Sequence, residues 1–454
     1  MKGKVKKSLF LPIQHGFSAR ICYESINFLL FESGEMDLFA QISADTPSAL
    51  SRADGLGTLK AFLPLAGKHY AAERNFDKGR GQHLSVSWLS AYIRRRLITE
   101  TEILQAVQAR HNFSASEKFI SEVFWRTYFK GWLEMRPSIW SQWLTEMPAG
   151  LADSRYLQAC SGKTDIACFN EWAAELRETG YLHNHARMWF ASIWIFTLEL
   201  PWQWGAAFFM QWLRDGDPAS NTLSWRWVAG LHSRGKHYLA RAENIEKFTQ
   251  NRFAPYGALN EGAMSLTGAE PPLAVEPHWP ALPARKRYVL VIHGEDCHPE
   301  SWTLAGAPEA VIVLPSWMGN LVLDSQNRLR DRGLDRLEDT ALADTAGRAQ
   351  AHFDCPVHLL ASSEGGAMDE MDIAMLARQI SALASQYDVQ NMTTSYLPVG
   401  AWRQNFATLA DCLAPENIHI DQVIREYDRS CWPYAKRGFF PFKENIPRWL
   451  RDFS

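Results

Sequence analysis

Gly180-Tyr181-Leu182-His183-Asn184-His185-Ala186-Arg187-Met188 packs two histidines, an amide and a guanidinium into about two helical turns. Gly180 reads as a helix end, because glycine tolerates the left-handed backbone found there. From His183 the apolar spacing restarts a long helix running to Leu198. Two neighbouring histidines invite a metal ion. His183 and His185 are two residues apart, however, and diverge on a helix, whereas zinc ligands converge. No metal is expected, which leaves these polar groups for another ligand.

The helical pattern extends on both sides of this stretch, over about 60–255. Ser114-Ala115-Ser116-Glu117 has capping-box spacing and precedes Phe119, Ile120, Val123, Phe124 and Tyr128, an apolar stripe. The same helix carries Glu122, Trp125 and Arg126; Glu122 and Arg126 read equally well as a surface pair, and Trp125 as core. Upstream lie Tyr70, Arg74 and the run Ser87-Trp88-Leu89-Ser90. Hydroxyls before a helix cap free backbone N–H groups, and the same groups bind phosphate. Downstream, Asp215-Gly216-Asp217-Pro218-Ala219-Ser220-Asn221 precedes Trp225-Arg226-Trp227. Such a DxD loop holds a divalent metal or faces a cationic or N–H-rich ligand edge. Arg94-Arg95-Arg96 reads as a solvated helix face or as a grip on DNA.

Past a Pro-, Gly- and Ala-rich linker the period changes. Residues 288–292, 310–314 and 357–360 read as buried strands, 390–396 and 418–423 as weaker ones, with helical patterns such as Glu370–Gln386 between them. Alternating strands and helices imply a parallel sheet covered on both faces. No GxGxxG follows any strand, so the dinucleotide fingerprint is absent. The expected organisation is a disordered extension over 1–35, a mainly α unit over 36–260, a linker over 261–284 and a Rossmann-like α/β unit over 285–454.

The chain has 454 residues, 46% hydrophobic and 21% charged, enough for two or three packed domains. The best membrane candidate, Trp189 to Trp204, is short and carries Glu199 and Pro201. Seven scattered cysteines without a CxxC pair give neither a disulfide framework nor an iron–sulfur spacing. A cytoplasmic location without a signal peptide is expected. Residues 60–260 hold 24 Lys and Arg against 18 Asp and Glu, and the rest 23 against 32. That asymmetry is compatible with an anionic ligand on the helical unit. Of 19 Trp, 13 also fall within 60–260, which suits either a large core or a flat conjugated ligand.

Taken in order, these motifs resemble the FAD-binding domain of the DNA photolyase/cryptochrome family, over about Tyr70 to Phe253. The resemblance implies FAD as cofactor. It assigns Tyr70, Ser87, Trp88, Leu89 and Ser90 to the pyrophosphate side and Arg126 to the cofactor. Asn184, Arg187, Asp215 and Asp217 would line the flavin ring, with Asn221 at its N5 edge. On the substrate side, Glu122, Trp125, Met188 and Trp227, with Arg74 nearby, would receive an extruded pyrimidine dimer from damaged DNA. Trp225 and Trp202 match the inner and middle members of a tryptophan relay; the outer member has no counterpart near Ala159. The implied activity is a deoxyribodipyrimidine photo-lyase, a carbon–carbon lyase driven by light. The alternative is a cryptochrome-like flavin photoreceptor without repair. The family's α/β domain normally precedes the FAD domain; here it follows, as in a rearranged or circularly permuted order. No second, antenna chromophore can be named from the residues, nor any protein partner, and no membrane is implied.

Overall fold

A computed structural model of the chain describes residues 49–149, 153–233, 235–281, 287–319, 332–360 and 370–453. The 1–35 extension lies outside the described residues. The first half is helical: α1 (Arg52–Phe62), α2 (Lys68–Glu73), α3 (Ser90–Arg94), α4 (Glu100–Arg110), α5 (Phe113–Glu134), α6 (Ser138–Thr145), α7 (Ser154–Ser161), α8 (Ala167–Thr179), α9 (Asn184–Ser192), α10 (Trp202–Trp212), α11 (Pro218–Ala229) and α12 (Ala242–Phe248). A π-helical turn, Ile193–Thr197, prolongs α9. The second half alternates: β1 (Val289–Ile292), β2 (Ala310–Val313), α13 (Arg332–Phe353), β3 (Val357–Leu359), α14 (Glu370–Gln386), β4 (Asn391–Ser395), α15 (Ala401–Leu413) and β5 (His419–Val423). Three short helices close the chain: α16 (Glu426–Cys431), α17 (Phe439–Lys443) and α18 (Ile446–Asp452).

Helix α5 is the axis of the helical half. Its N-cap is Asn112, whose side chain accepts a 2.9 Å bond from the Ala115 amide. The expected Ser114–Glu117 box therefore gives way to a cap two residues earlier, and Glu117 instead pairs with Lys443 at 2.7 Å. Phe119, Ile120, Val123, Phe124 and Tyr128 are buried. Gly131 admits the backbone of Trp432 so closely that a Cβ would lie 2.8 Å from its Cα. The closing helices leave the sheet altogether and pack on α5: Trp449 stacks on Phe124 at 5.5 Å. The 285–454 stretch is thus α/β only as far as β5.

The five strands form one parallel sheet in the order β3-β2-β1-β4-β5. Strand β1 is buried on both faces, as the period of two requires. Leu290 and Ile292 join the core that includes the helical half, while Val289 and Val291 face a second core with residues of α14 and α15. In such a sheet the order reverses between β1 and β4, and the crevice beyond their carboxyl ends is the usual ligand site. Here the end of α5 fills it. Glu134 accepts the Val399 amide at 2.6 Å, the Tyr396 hydroxyl at 2.8 Å and an Arg403 N–H at 2.7 Å.

A buried ionic lattice joins the two halves at the same place. Arg94 donates two bonds of 2.7 Å to Glu295, just past β1. Lys130 of α5 lies 3.6 Å from Glu295 and 3.9 Å from Asp217. Arg95 reaches Glu338 at 3.2 Å, and Arg96 reaches Asp428 at 2.6 Å. All three arginines are at most 7% exposed, so the solvated-face reading of 94–96 is corrected. Charges this deep persist only when paired and hydrogen-bonded.

Burial would raise the Glu295 carboxyl, but Arg94 and Lys130 overcome it and hold the group below its ordinary range. Asp217 is held well below by Arg126, Lys130 and Arg94 against the same burial. Two outcomes are expected. Glu295→Ala strands two buried cations and lowers the unfolding free energy by about 3–5 kcal/mol in denaturant titration. The unfolded chain also binds more protons in acid than the folded one. This stabilisation is therefore complete above the unfolded carboxylate values of about 4 and drains as pH falls through the folded ones. The thermal midpoint measured between about pH 7 and about pH 3 drops steeply below about pH 4, and less steeply in Glu295→Gln.

Candidate functional site

Gly180 and Tyr181, the first two residues of the Gly180–Met188 stretch, line a cleft. Gly180 ends α8 with φ 67°. His183 caps α9, its Nδ1 accepting the His185 amide at 3.3 Å, and His185 Nδ1 is 2.7 Å from the Asn75 carbonyl. Each histidine thus has a local structural bond. Tyr181 packs against Trp88 with ring centroids 4.1 Å apart. Trp88 takes the left-handed backbone, φ 57°, and its indole N–H donates to the His83 carbonyl at 3.0 Å. Gly180, Tyr181 and Trp88 line a small cleft together with Ser90, Tyr92, Arg214 and Asp215. Of the residues expected on the cofactor, Trp88, Ser90 and Asp215 meet here. Leu89 does not present its side chain: it is fully buried, and its amide donates to Ser87 Oγ at 3.4 Å.

Two arginines organise the adjoining DxD loop. Arg187 bonds Asp215 at 3.0 Å and the Leu182 carbonyl at 2.8 Å. Arg126 bonds Asp217 at 2.9 Å. Asp217 is only 4% exposed and caps α11 by accepting the Ser220 amide at 2.7 Å. Its carboxylate is thus consumed by the fold rather than offered to a ligand. The Gly216 carbonyl of the same loop accepts from Arg94 at 3.2 Å, which ties the loop to the ionic lattice. Asn221 is buried one turn into α11, its amide N–H donating to the Ala206 carbonyl at 2.8 Å. Asn184 is exposed and Met188 half-buried.

Glu122, Arg74 and Tyr70 form a second polar group on α5 and α2. Arg74 Nε is 3.9 Å from Glu122. The Glu122 side chain is 42% exposed, yet protein surrounds it closely enough that desolvation raises its carboxyl above the ordinary value. Burial also pushes the Tyr70 phenol well up, and the neighbouring Glu122 adds to the shift. Tyr70 packs edge-on to Phe119 at 5.3 Å.

The expected aromatic residues divide. Trp225 is buried at 2% and stands edge-on to Trp194 at 6.1 Å; Gly205 makes room for it, since a methyl there would overlap its ring. Trp202 is buried with the Arg226 guanidinium 5.7 Å from its ring. Trp125 and Trp227 stay half-buried. Each already carries a ring neighbour: Phe439 stacks on Trp125 at 3.6 Å and 11°, and Tyr238 lies over Trp227 at 5.7 Å and 23°.

Sequence reading missed Tyr181 as a wall, Phe439 as a cover, and the buried trio Asp77, His83 and Glu175. His83 Nε2 is 2.8 Å from Glu175, and both it and Asp77 lie beneath the Trp88–Tyr181 wall. The trio's ligand atoms, two carboxylate oxygens and a histidine nitrogen, lie within 4.8 Å of one another, close enough to hold a metal ion. The Asp77 carboxylate is already met by Trp172 at 2.9 Å and Arg252 at 3.0 Å. No single motif announces the trio, because its members come from separate turns and helices.

Residues 119–258 match the model of the FAD binding domain of DNA photolyase. A deoxyribodipyrimidine photo-lyase of Vibrio cholerae is 28% identical over 144 residues, 30% of this chain and 31% of that protein. Another, of Thermus thermophilus, is 32% identical over 190 residues, 39% of this chain and 42% of that protein. A cryptochrome DASH of Idiomarina loihiensis is 32% identical over 158 residues, 34% of each. The chain spans well under half the length of these relatives. No described helix is long and apolar enough to cross a membrane. Residues 119–258 of this chain are thus similar to the FAD binding domain of DNA photolyase, and part of the chain is similar to proteins named deoxyribodipyrimidine photo-lyase and cryptochrome DASH.

Proposed function

We propose that the chain binds FAD in the cleft between Trp88, Tyr181 and Asp215 and repairs cyclobutane pyrimidine dimers in DNA under light. The observation that carries this reading is the convergence of Trp88, Ser90 and Asp215 on one cleft within a chain whose residues 119–258 match the FAD binding domain of DNA photolyase. The lining suits such a group chemically: the Ser90 hydroxyl and the Arg214 guanidinium are donors that fit a phosphate.

FAD, when bound, supplies the light-excitable electron donor. The protein's part is to bind, orient and tune. The hydroxyls of Ser87 and Ser90 would face the pyrophosphate, with Tyr70 and Arg126 alongside. Arg187, fixed by Asp215, would hold one ring edge, beside Asn184. Asp217 fixes Arg126 and the start of α11, which sets Asn221 in place. On the substrate side, extruding a dinucleotide costs a few kcal/mol. Stacking on the ring faces of Trp125 and Trp227 that Phe439 and Tyr238 leave free would return about 1–3 kcal/mol per base, with Met188 filling the apolar side. Glu122, held protonated to a higher pH by its desolvation, would donate to a pyrimidine carbonyl as negative charge arrives there. Arg74 would steady Glu122. Trp225 and Trp202 would relay electrons to the flavin.

The second reading is a flavin photoreceptor without repair, favoured by the likeness to a protein named cryptochrome DASH. Illumination with dimer-containing oligothymidine separates the two. Recovery of thymine absorbance supports repair; light-dependent flavin spectra with an unchanged lesion support the photoreceptor.

Two further outcomes are expected. Glu122→Ala lowers the yield of repair on the order of tenfold, about 1.4 kcal/mol in the driving step, while the flavin released on denaturation stays at one per chain. Arg187→Ala leaves Asp215 without its cation and weakens FAD retention by roughly tenfold or more, read by flavin fluorescence on dilution.

A further inference from the structure

Beneath the Trp88–Tyr181 wall, Asp77, His83 and Glu175 form a buried group that the flavin reading leaves unused. All three are at most 4% exposed. Asp77 and His83 come from the irregular chain between α2 and α3, and Glu175 from α8. His83 Nε2 is 2.8 Å from a Glu175 oxygen. An ionised carboxylate only accepts, so the proton of the neutral imidazole sits on Nε2 and leaves Nδ1 with a lone pair. That Nδ1 is buried without a hydrogen-bond partner and faces Asp77 Oδ1 at 3.9 Å. Oδ1 accepts the Gly79 amide at 3.1 Å, while Trp172 and Arg252 both go to Oδ2. Two acceptors therefore confront each other with no proton between them. Charge points the same way. Arg252, the cation on Asp77, is shared with Glu171 at 2.7 Å. Among the described residues, Glu175 has no ion-pair partner apart from His83. Buried carboxylates that outnumber their cations call for another positive charge. Nitrogen and oxygen ligands stand about 2.0–2.2 Å from zinc, so the gap between Nδ1 and Oδ1 is close to the span across one ion.

We propose that Asp77, His83 and Glu175 hold a divalent cation of the zinc class, with water completing its shell. One ligand atom from each residue lies within 4.8 Å of the other two. An imidazole with two carboxylates and no thiolate suits zinc, whereas magnesium and calcium favour oxygen alone. The ion ties the 77–83 loop to α8. The His83 carbonyl accepts the Trp88 indole N–H at 3.0 Å, and the His83 ring lies 5.4 Å from that of Tyr181. The ion thus braces the cleft wall from behind. The site goes beyond the flavin reading and stands without it.

The test uses the full-length protein, dialysed against a chelator and then supplied with zinc or, as a coloured probe, cobalt(II). Zinc should stay at about one per chain after desalting, and zinc at about a hundredfold excess over its Kd should raise the thermal midpoint by several degrees. Cobalt(II) should give visible absorption that zinc abolishes. His83→Gln and Asp77→Asn should each weaken zinc binding on the order of a hundredfold and remove the cobalt band. His352→Gln, at an exposed histidine of α13, should leave zinc uptake unchanged. The unaltered protein decides the matter even where a variant fails to fold. If it keeps no zinc at micromolar free metal, the site is overturned and a proton on His83 balances the carboxylates instead. If folded His83→Gln and Asp77→Asn bind zinc as tightly as the unaltered protein, the ion sits elsewhere and the site is equally overturned.

Discussion

The pairing of Glu295 with Arg94 and Lys130 is the constraint on which this structure turns. It brings a carboxylate from the end of a central strand against two cations of the helical half, all nearly free of solvent. Each charge would be intolerable there alone, because desolvation of an ion costs several kcal/mol. Together, and with Asp217, they fix where the two halves meet. The effect reaches the cleft, since Arg94 also holds the Gly216 carbonyl and Asp217 also holds Arg126. The electrostatics that join the domains therefore set the loop on which the candidate cofactor residues stand.

This arrangement also determines which cavity remains. A doubly wound parallel sheet offers a ligand crevice where its strand order reverses. In this chain Glu134 and the end of α5 fill that place with three charge-assisted bonds. The open cleft lies instead in the helical half, walled by Trp88 and Tyr181. The α/β half thereby acts on the proposed chemistry as a buttress, through α5 and the Gly216 loop. The closing helices do the same from the other side, packing Trp449 and Phe442 on Phe124 and delivering Phe439 to Trp125.

Much of the architecture was legible in residue order. The five strand segments fall within one residue of their expected ends; β1 and β2 are continuous apolar runs, which have few other uses, while β3 to β5 are more polar. Gly180 ends α8 as expected, through its left-handed backbone. Other features were hidden for definite reasons. Asn112 displaced the expected Ser114 cap because several side chains in that stretch are competent to cap, and only the incoming chain direction selects one. Arg94, Arg95 and Arg96 looked solvated because three consecutive cations usually are; their partners at 295, 338 and 428 are remote in sequence.

The amino-acid sequence by itself determined the two kinds of layer, the alternation that makes the sheet parallel, and the local groups that resemble a flavin-binding domain, since these follow from short-range periodicity and local chemistry. Tertiary structure alone decided which of those groups face a cavity. Asp215 lines it while Asp217, two residues away, is spent on Arg126 and a helix cap. Trp88 lines it while Leu89 is core. The reason is physical: a side chain's environment is set by what packs against it from distant parts of the chain, and desolvation and charge pairing at those contacts carry no signature in the neighbouring residues.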